Sequence, residues 1–347
     1  MVLSDIHRLR GIAILFIVAT HCVTFFEWTN HPFELAVAKD LFDNSTVIFV
    51  FISGFLFQYT SPRFTYGGFV RTKFANVLLP YLISAAPGIA YVLLRGQPST
   101  FEHLGLGQSS LVDKVAFLYL YGGSQVNYAL WFIPVICIYF IFSPLLVQLV
   151  RWPVGYTALA VLLPVSVFMH RPSYAHGHNF GLALYFLSAF IGGMLCSQYR
   201  LSIAPFIDRH LRLFVGTTLL LFLSHLVLSN HHGKYVSSDK LHGTDADGLI
   251  DWIFIQKILL TVTLWAAVRR FQPLMRWLEG LARVSFTVFF LHLYVIFAAE
   301  ACMHFQRIEV SAPSIAMLML GSVGIPWLVA LAVRRAFPQW SRMLVGS

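Results

Sequence analysis

Apolar residues along this chain fall into long runs rather than the strict alternation of a half-buried strand or the broken stripe of a surface helix. Ten runs are long enough, or nearly so, to cross a bilayer as helices. They cover about 9–26, 43–60, 74–94, 129–150, 153–170, 180–197, 211–229, 250–268, 284–305 and 314–336. A shorter run, Val112 to Tyr121, reads as an interfacial or re-entrant piece. The pattern predicts an all-α, polytopic integral membrane protein with about ten transmembrane helices. It predicts a single transmembrane domain over residues 1–347, with no internal repeat and no separate soluble domain.

Composition agrees with the pattern. Of the 347 residues, 58% are hydrophobic and 11% charged, where a soluble domain carries about 25% charged residues. The net charge of +9 would suit nucleic acid if it lay on one soluble face, but its distribution says otherwise. With the N-terminus inside, sixteen of the 24 Lys and Arg fall in inner segments, seven in outer ones, and Lys257 alone lies within a span. That asymmetry predicts cytoplasmic termini and accounts for the charge without a nucleic-acid partner. The first apolar run reaches Phe26 without a small-residue cleavage site, so it reads as a retained span. The four cysteines are scattered one per apolar segment with no CxxC spacing, which predicts neither a disulfide framework nor a zinc site. His170, His176 and His178 share no metal-ligand spacing and read as solvated loop groups. No metal and no permanently bound cofactor is expected.

The informative residues are the polar ones inside apolar runs. In RGIAILFIVATH, Arg10 and His21 are eleven residues apart. Eleven helical steps turn about 1100°, close to three full turns, so both side chains share one face, about 16 Å apart along the axis. Ionisable groups at membrane depth are costly and are functional by default. The plainer reading makes Arg10 an interface anchor and His21 a polar residue near the far surface. His292 lies about half-way through the ninth run, with Glu300 two turns further out. Lys257 sits two turns into the eighth, with Asp251 as its nearest acidic neighbour in sequence, and His225 reads as structural.

Five stretches together resemble the bacterial membrane-bound acyltransferase family called acyltransferase type 3. They are LRGIAILFIVATH (Leu9 to His21), FVFISGFLF (Phe49 to Phe57), FVRTKFANVLLPY (Phe69 to Tyr81), LWFIPVICIYFIFSPLL (Leu130 to Leu146) and SFTVFFLH (Ser285 to His292). Their order, their spacing and the ten predicted spans agree over nearly the whole chain. The chain departs from the family pattern where Asn76 and Val77 replace an arginine before Leu-Leu-Pro, and where Tyr294 stands in place of a proline.

The resemblance implies an O-acyltransferase of the bacterial inner membrane. It would move an acyl group, usually acetyl, from cytoplasmic acyl-CoA as co-substrate to a sugar hydroxyl of an envelope polysaccharide or its lipid-linked precursor. Such an enzyme needs cations at the inner face for the CoA phosphates; Arg10, Arg71 and Lys73 carry that expectation. It also needs a base near neutral pKa for the acceptor hydroxyl, or a nucleophile to carry the acyl group. His21 is the candidate for either, with His292 and Arg10 completing the catalytic set. Ser53, Lys257 and Glu300 are candidates for acceptor contacts. A different class, a transporter or exporter of a polar metabolite or glycan using His21, Lys257 and His292 as a relay, would call for repeat symmetry that the sequence lacks.

Overall fold

The computed structural model describes residues 2–95, 101–102, 105–120, 126–151, 154–173, 178–236 and 249–346. Among them the chain is helical throughout, with two isolated β-bridges and no sheet. Eight helical stretches are long and apolar enough to cross a membrane, and a ninth does so if a bent pair is counted as one span. This is a multi-pass, all-α membrane protein.

Helix α1 (Val2–Val23) starts seven residues before the first apolar run, with Asp5 in its first turn, where a carboxylate suits the helix dipole. Helix α2 (Pro32–Phe42) precedes the second run, and Pro32 sits in its first turn, where a missing N–H costs nothing. A left-handed Asn44 (φ 60°) then turns the chain into α3 (Thr46–Thr60). The third run begins earlier than the apolar pattern indicates. Helix α4 (Tyr66–Lys73) continues through a π turn at Phe74–Leu78 into α5 (Leu79–Arg95). Pro80 lacks the N–H that an α-helix would offer the Asn76 carbonyl, and the π turn falls where that bond is missing.

Helix α6 (Leu111–Leu120) is the short apolar piece. The fourth run is broken: α7 (Phe132–Ile141) and α8 (Ser143–Arg151) meet at 66°. Pro144 explains the break, since its ring crowds the carbonyl four residues back, and the Ser143 hydroxyl donates to that Phe140 carbonyl instead (2.7 Å). The rest are α9 (Val154–Met169), a shorter apolar helix, α10 (Asn179–Gln198), α11 (Arg200–Arg209), α12 (Leu211–Leu228), α13 (Trp252–Arg270), α14 (Trp277–Cys302), α15 (Ala312–Ala336) and α16 (Ser341–Val345).

Two helix pairs position the site. Helices α3 and α10 cross where each has a glycine. A Cβ on Gly54 would stand 2.0 Å from the Phe190 carbonyl oxygen, and one on Gly193 2.0 Å from that of Phe51. Small residues at such a crossing let backbones approach closely, which matters where lipid is as apolar as the interface. Helices α1 and α14 run side by side in the same direction. Arg8 bonds Glu279 (2.7 Å), Arg10 bonds Ser285, and the His21 ring meets His292 further on. Between them they carry Arg10, His21 and His292.

Candidate active site

At the end of the bundle where α1 begins, a cavity of about 480 Å³ opens among α1, α3, α4 and the π turn after it, α7, α14 and the C-terminal α15 and α16. Five Lys or Arg side chains line it: Arg10, Lys73, Arg283, Arg334 and Arg342. His7 joins them, and among the described residues no carboxylate lines the cavity. Arg10 is fixed rather than free: its Nε donates to the Ser285 hydroxyl (2.5 Å) and its guanidinium lies 4.8 Å from the centre of the Phe286 ring. Lys73 is held over the rings of Phe69 and Phe140, at 5.2 and 4.9 Å. The deeper wall is apolar and aromatic, built from Phe49, Ile52, Phe132 and Ile136. Cations at the mouth over an apolar interior suit a long ligand with an anionic head and an uncharged tail.

At the far end of α1 the His21 ring lies 5.2 Å, centre to centre, from both Tyr128 and His292. It faces a second, smaller cavity of about 80 Å³ shared with Thr20, Thr24, Asn44, Trp131, Arg171 and Lys234. His292 is fully buried. Its Nδ1 lies 2.9 Å from the Val288 carbonyl and 3.0 Å from that of Phe289. Carbonyls only accept, so Nδ1 carries the proton and Nε2 keeps its lone pair. That Nε2 has no hydrogen-bond partner among the described residues, an expensive state for a buried polar atom that active sites tolerate.

Aromatic rings fill the space between the two cavities. Phe49 and Phe132 line the first cavity and pack on Phe289, with ring centres 6.3 and 5.8 Å away. Phe289 in turn lies 6.4 Å from His292. Phenylalanine rings therefore separate the cations of the first cavity from the histidines.

The other residues singled out by the sequence scatter. Ser53 lines the first cavity beside Arg10, with its hydroxyl bonded to the Phe49 carbonyl (2.9 Å), and is not at the His21 end. Arg71 is exposed and does not line that cavity, although its neighbour Lys73 does. Lys257 is buried against α2, donating to the backbone carbonyls of Asp40 (2.6 Å) and Leu41 (2.9 Å) and to Gln256. Asp251, its neighbour in sequence, instead caps α13 by accepting from Phe254 N–H and takes the Tyr185 hydroxyl (2.7 Å). Glu300 sits near the end of α14, half-buried and lining neither cavity. His176 lies outside the described residues.

Sequence reasoning missed Arg283, Arg334 and Arg342, which read as membrane-interface anchors, and Arg171 and Lys234, which read as loop charges. No spacing rule joins them, because they converge only in three dimensions. A polar cluster also went unseen. His225 and His232 both place Nδ1 on the same Asp40 oxygen (2.9 and 3.0 Å), while Gly233 N–H donates to the other (2.8 Å). These are distances of N–H donors on a carboxylate, whereas ligands sharing one zinc ion would lie about 3.3 Å apart. The cluster fastens α2 to α12 and to the following loop.

A further cavity, about 730 Å³, lies between α5, α14, α15 and α16, and among the described residues its only ionisable lining groups are Cys302 and Tyr294. The Tyr294 hydroxyl there donates to the Ser84 carbonyl (2.6 Å) and accepts from Gly88 N–H (3.1 Å), splicing α14 into the α5 ladder beside Pro87. It lacks the convergent polar groups that chemistry requires.

Compared with known proteins, residues 3–331 match a family profile described as an acyltransferase domain. No curated protein and no solved structure matches the chain.

Proposed function

The chain belongs to the acyltransferase type 3 family, and from that membership we propose a membrane O-acyltransferase that uses cytoplasmic acyl-CoA, with acetyl as the acyl group. Its acceptor is a sugar hydroxyl of a cell-envelope polysaccharide or lipid-linked precursor, and its place is the bacterial inner membrane. The observation that carries this reading is the pairing of two unlike cavities along one face of α1. Among the described residues one has five cations and no carboxylate; the other is small and lined by His21.

In this reading the N-terminal end of the bundle faces the cytoplasm. Arg10, Lys73, Arg283, Arg334 and Arg342 hold the CoA phosphates there, where arginine forks pair well with phosphate oxygens. The pantetheine arm follows the apolar wall past Phe49 and Phe132 and brings the thioester to the histidines. A reach of about 16 Å along α1 separates Arg10 from His21. His21 removes the acceptor proton as the hydroxyl oxygen attacks the thioester carbonyl. The carbon–sulfur bond breaks, and the thiolate leaves as CoA thiol once it gains that proton. His292, fully buried behind His21, holds the ring and offers Nε2 as a second acceptor for the proton.

The test is mass spectrometry of acyl esters on envelope glycan from cells carrying wild-type protein, Arg10→Ala or His21→Ala. Both variants should lose the esters at normal protein level, and unchanged esters in both would overturn the reading. Binding of acetyl-CoA to the purified protein checks the donor half separately.

A further inference from the structure

We infer that Phe289 sets the length of the acyl group, admitting acetyl and turning away longer chains. This rests on the acyltransferase reading, in which the thioester travels from the cation cavity to His21.

Three rings from three helices close on one another between the two ends of that route. Phe49 of α3, Phe132 of α7 and Phe289 of α14 form a triangle. Ring centres are 6.2 Å apart for Phe49 and Phe132, 5.8 Å for Phe132 and Phe289, and 6.3 Å for Phe289 and Phe49. All three are buried. Phe49 and Phe132 line the cation cavity, whereas Phe289 lines neither that cavity nor the one at His21. It stands one layer deeper, with its ring 6.4 Å from that of His292, which in turn lies 5.2 Å from His21. An arm that passes Phe49 and Phe132 leads with its acyl group, so the acyl group is the part that meets Phe289.

The ring has little freedom to yield. On one side it meets the imidazole of His292, whose Nδ1 is held by the Val288 and Phe289 carbonyls at 2.9 and 3.0 Å. On the others it meets Phe49, Phe132 and Phe290, the last at 5.7 Å. Interiors packed this closely resist each added methylene. The space beyond is small as well. The cavity at His21 measures about 80 Å³, room for only a few water-sized groups at about 30 Å³ each. An acetyl group meeting a hydroxyl fills that room with its methyl, its carbonyl oxygen and the hydroxyl itself. The apolar cavity of about 730 Å³ gives no relief, since it opens on Phe290 and Tyr294, about 200° round α14 from His292. A longer chain therefore presses on Phe289. The reaction is the same for any acyl group: the carbon–sulfur bond breaks, the carbon–oxygen bond forms, and the hydroxyl proton ends on the thiolate.

The experiment uses the full-length protein in lipid nanodiscs, with de-esterified envelope glycan from cells lacking the protein as acceptor. The donors are acetyl-, propionyl-, butyryl- and hexanoyl-CoA, and kcat/KM is measured for each. Wild type should lose about tenfold or more per added methylene, the discrimination of a close apolar pocket. Phe289→Leu removes the ring at a modest cost in packing. It should raise the use of butyryl-CoA relative to acetyl-CoA by about tenfold, one methylene's worth of discrimination. CoA itself, titrated without an acyl group, should bind this variant as it binds wild type, because the cations are untouched. Phe289→Ala should widen the range of donors further; if it fails to fold, Phe289→Leu decides. Equal or better use of the longer donors by wild type would overturn the inference and leave the acyltransferase in place. So would a chain-length preference in Phe289→Leu that matches wild type. Transfer from none of the four donors would overturn the acyltransferase reading itself, and this inference with it.

Discussion

The two ends of α1 are built in opposite ways. Around Arg10 the cavity is large and open at the mouth, and its cations come from α1, α14, α15, α16 and the helical run leading into α5. Around His21 the cavity is small, and its polar residues are tied by backbone bridges and a hydrogen-bonded chain from Asn44 through Tyr185 to Asp251. A long flexible ligand with several phosphates tolerates a loose ring of charge, since each contact is separately weak. A hydroxyl that must meet a histidine within hydrogen-bond reach tolerates little error. The difference reads as charge capture at one end and alignment at the other.

Substitutions should therefore affect the ends separately. His21→Ala should lower acyl transfer by about 10²–10⁴-fold, the usual worth of a positioned proton acceptor, while acetyl-CoA binding measured by titration stays near wild type. Loss of donor binding in this variant would merge the two ends into one site. Arg10→Gln should do the reverse. Removing a charged hydrogen-bond partner costs about 1.5–3 kcal/mol, so acetyl-CoA should bind about 10–150-fold more weakly. Its turnover at saturating donor should fall much less.

Gly193→Ala acts on neither cavity directly but on the α3–α10 crossing behind both. A methyl 2.0 Å from the Phe51 carbonyl forces the helices apart, costing about 1–3 kcal/mol in unfolding measured in detergent. Both activities should decline together. The smallest effect belongs to Arg71→Gln, an exposed side chain outside the donor cavity. Donor affinity should move by no more than about 0.5 kcal/mol, whereas Lys73→Gln should weaken it clearly. An equal loss in the two would redraw the cavity's edge.

The sequence shows one helix of this site well and its surroundings poorly. Arg10 and His21 are visible because both sit in one apolar run at a spacing that helix geometry converts directly into a shared face. His292 is visible as a histidine within another run. Most spans are visible for the same reason: lipid demands continuous apolar length. The start of α2 is hidden because PFELAVAKDLF mixes charge with apolar residues, and the 66° break before Pro144 is hidden because the two halves together read as one apolar run. Arg342 and Arg334 resemble ordinary interface anchors until α15 packs on α1 and α16 turns back onto α5 and the π turn. Arg171 and Lys234 meet through a bridge between two loops, a contact no periodicity encodes. Ser53 shows the limit from the other side: its motif is recognisable, but only the structure places it beside Arg10 rather than His21.

The central claim is that donor and acceptor occupy opposite ends of α1, so that the acyl group crosses much of the membrane within the protein. Sealed inverted membrane vesicles, with radiolabelled acetyl-CoA supplied only outside, test it most directly. The account predicts label in glycan esters protected inside the lumen, dependent on both Arg10 and His21. Label appearing only on acceptor added to the outside, on the same face as the donor, would contradict it.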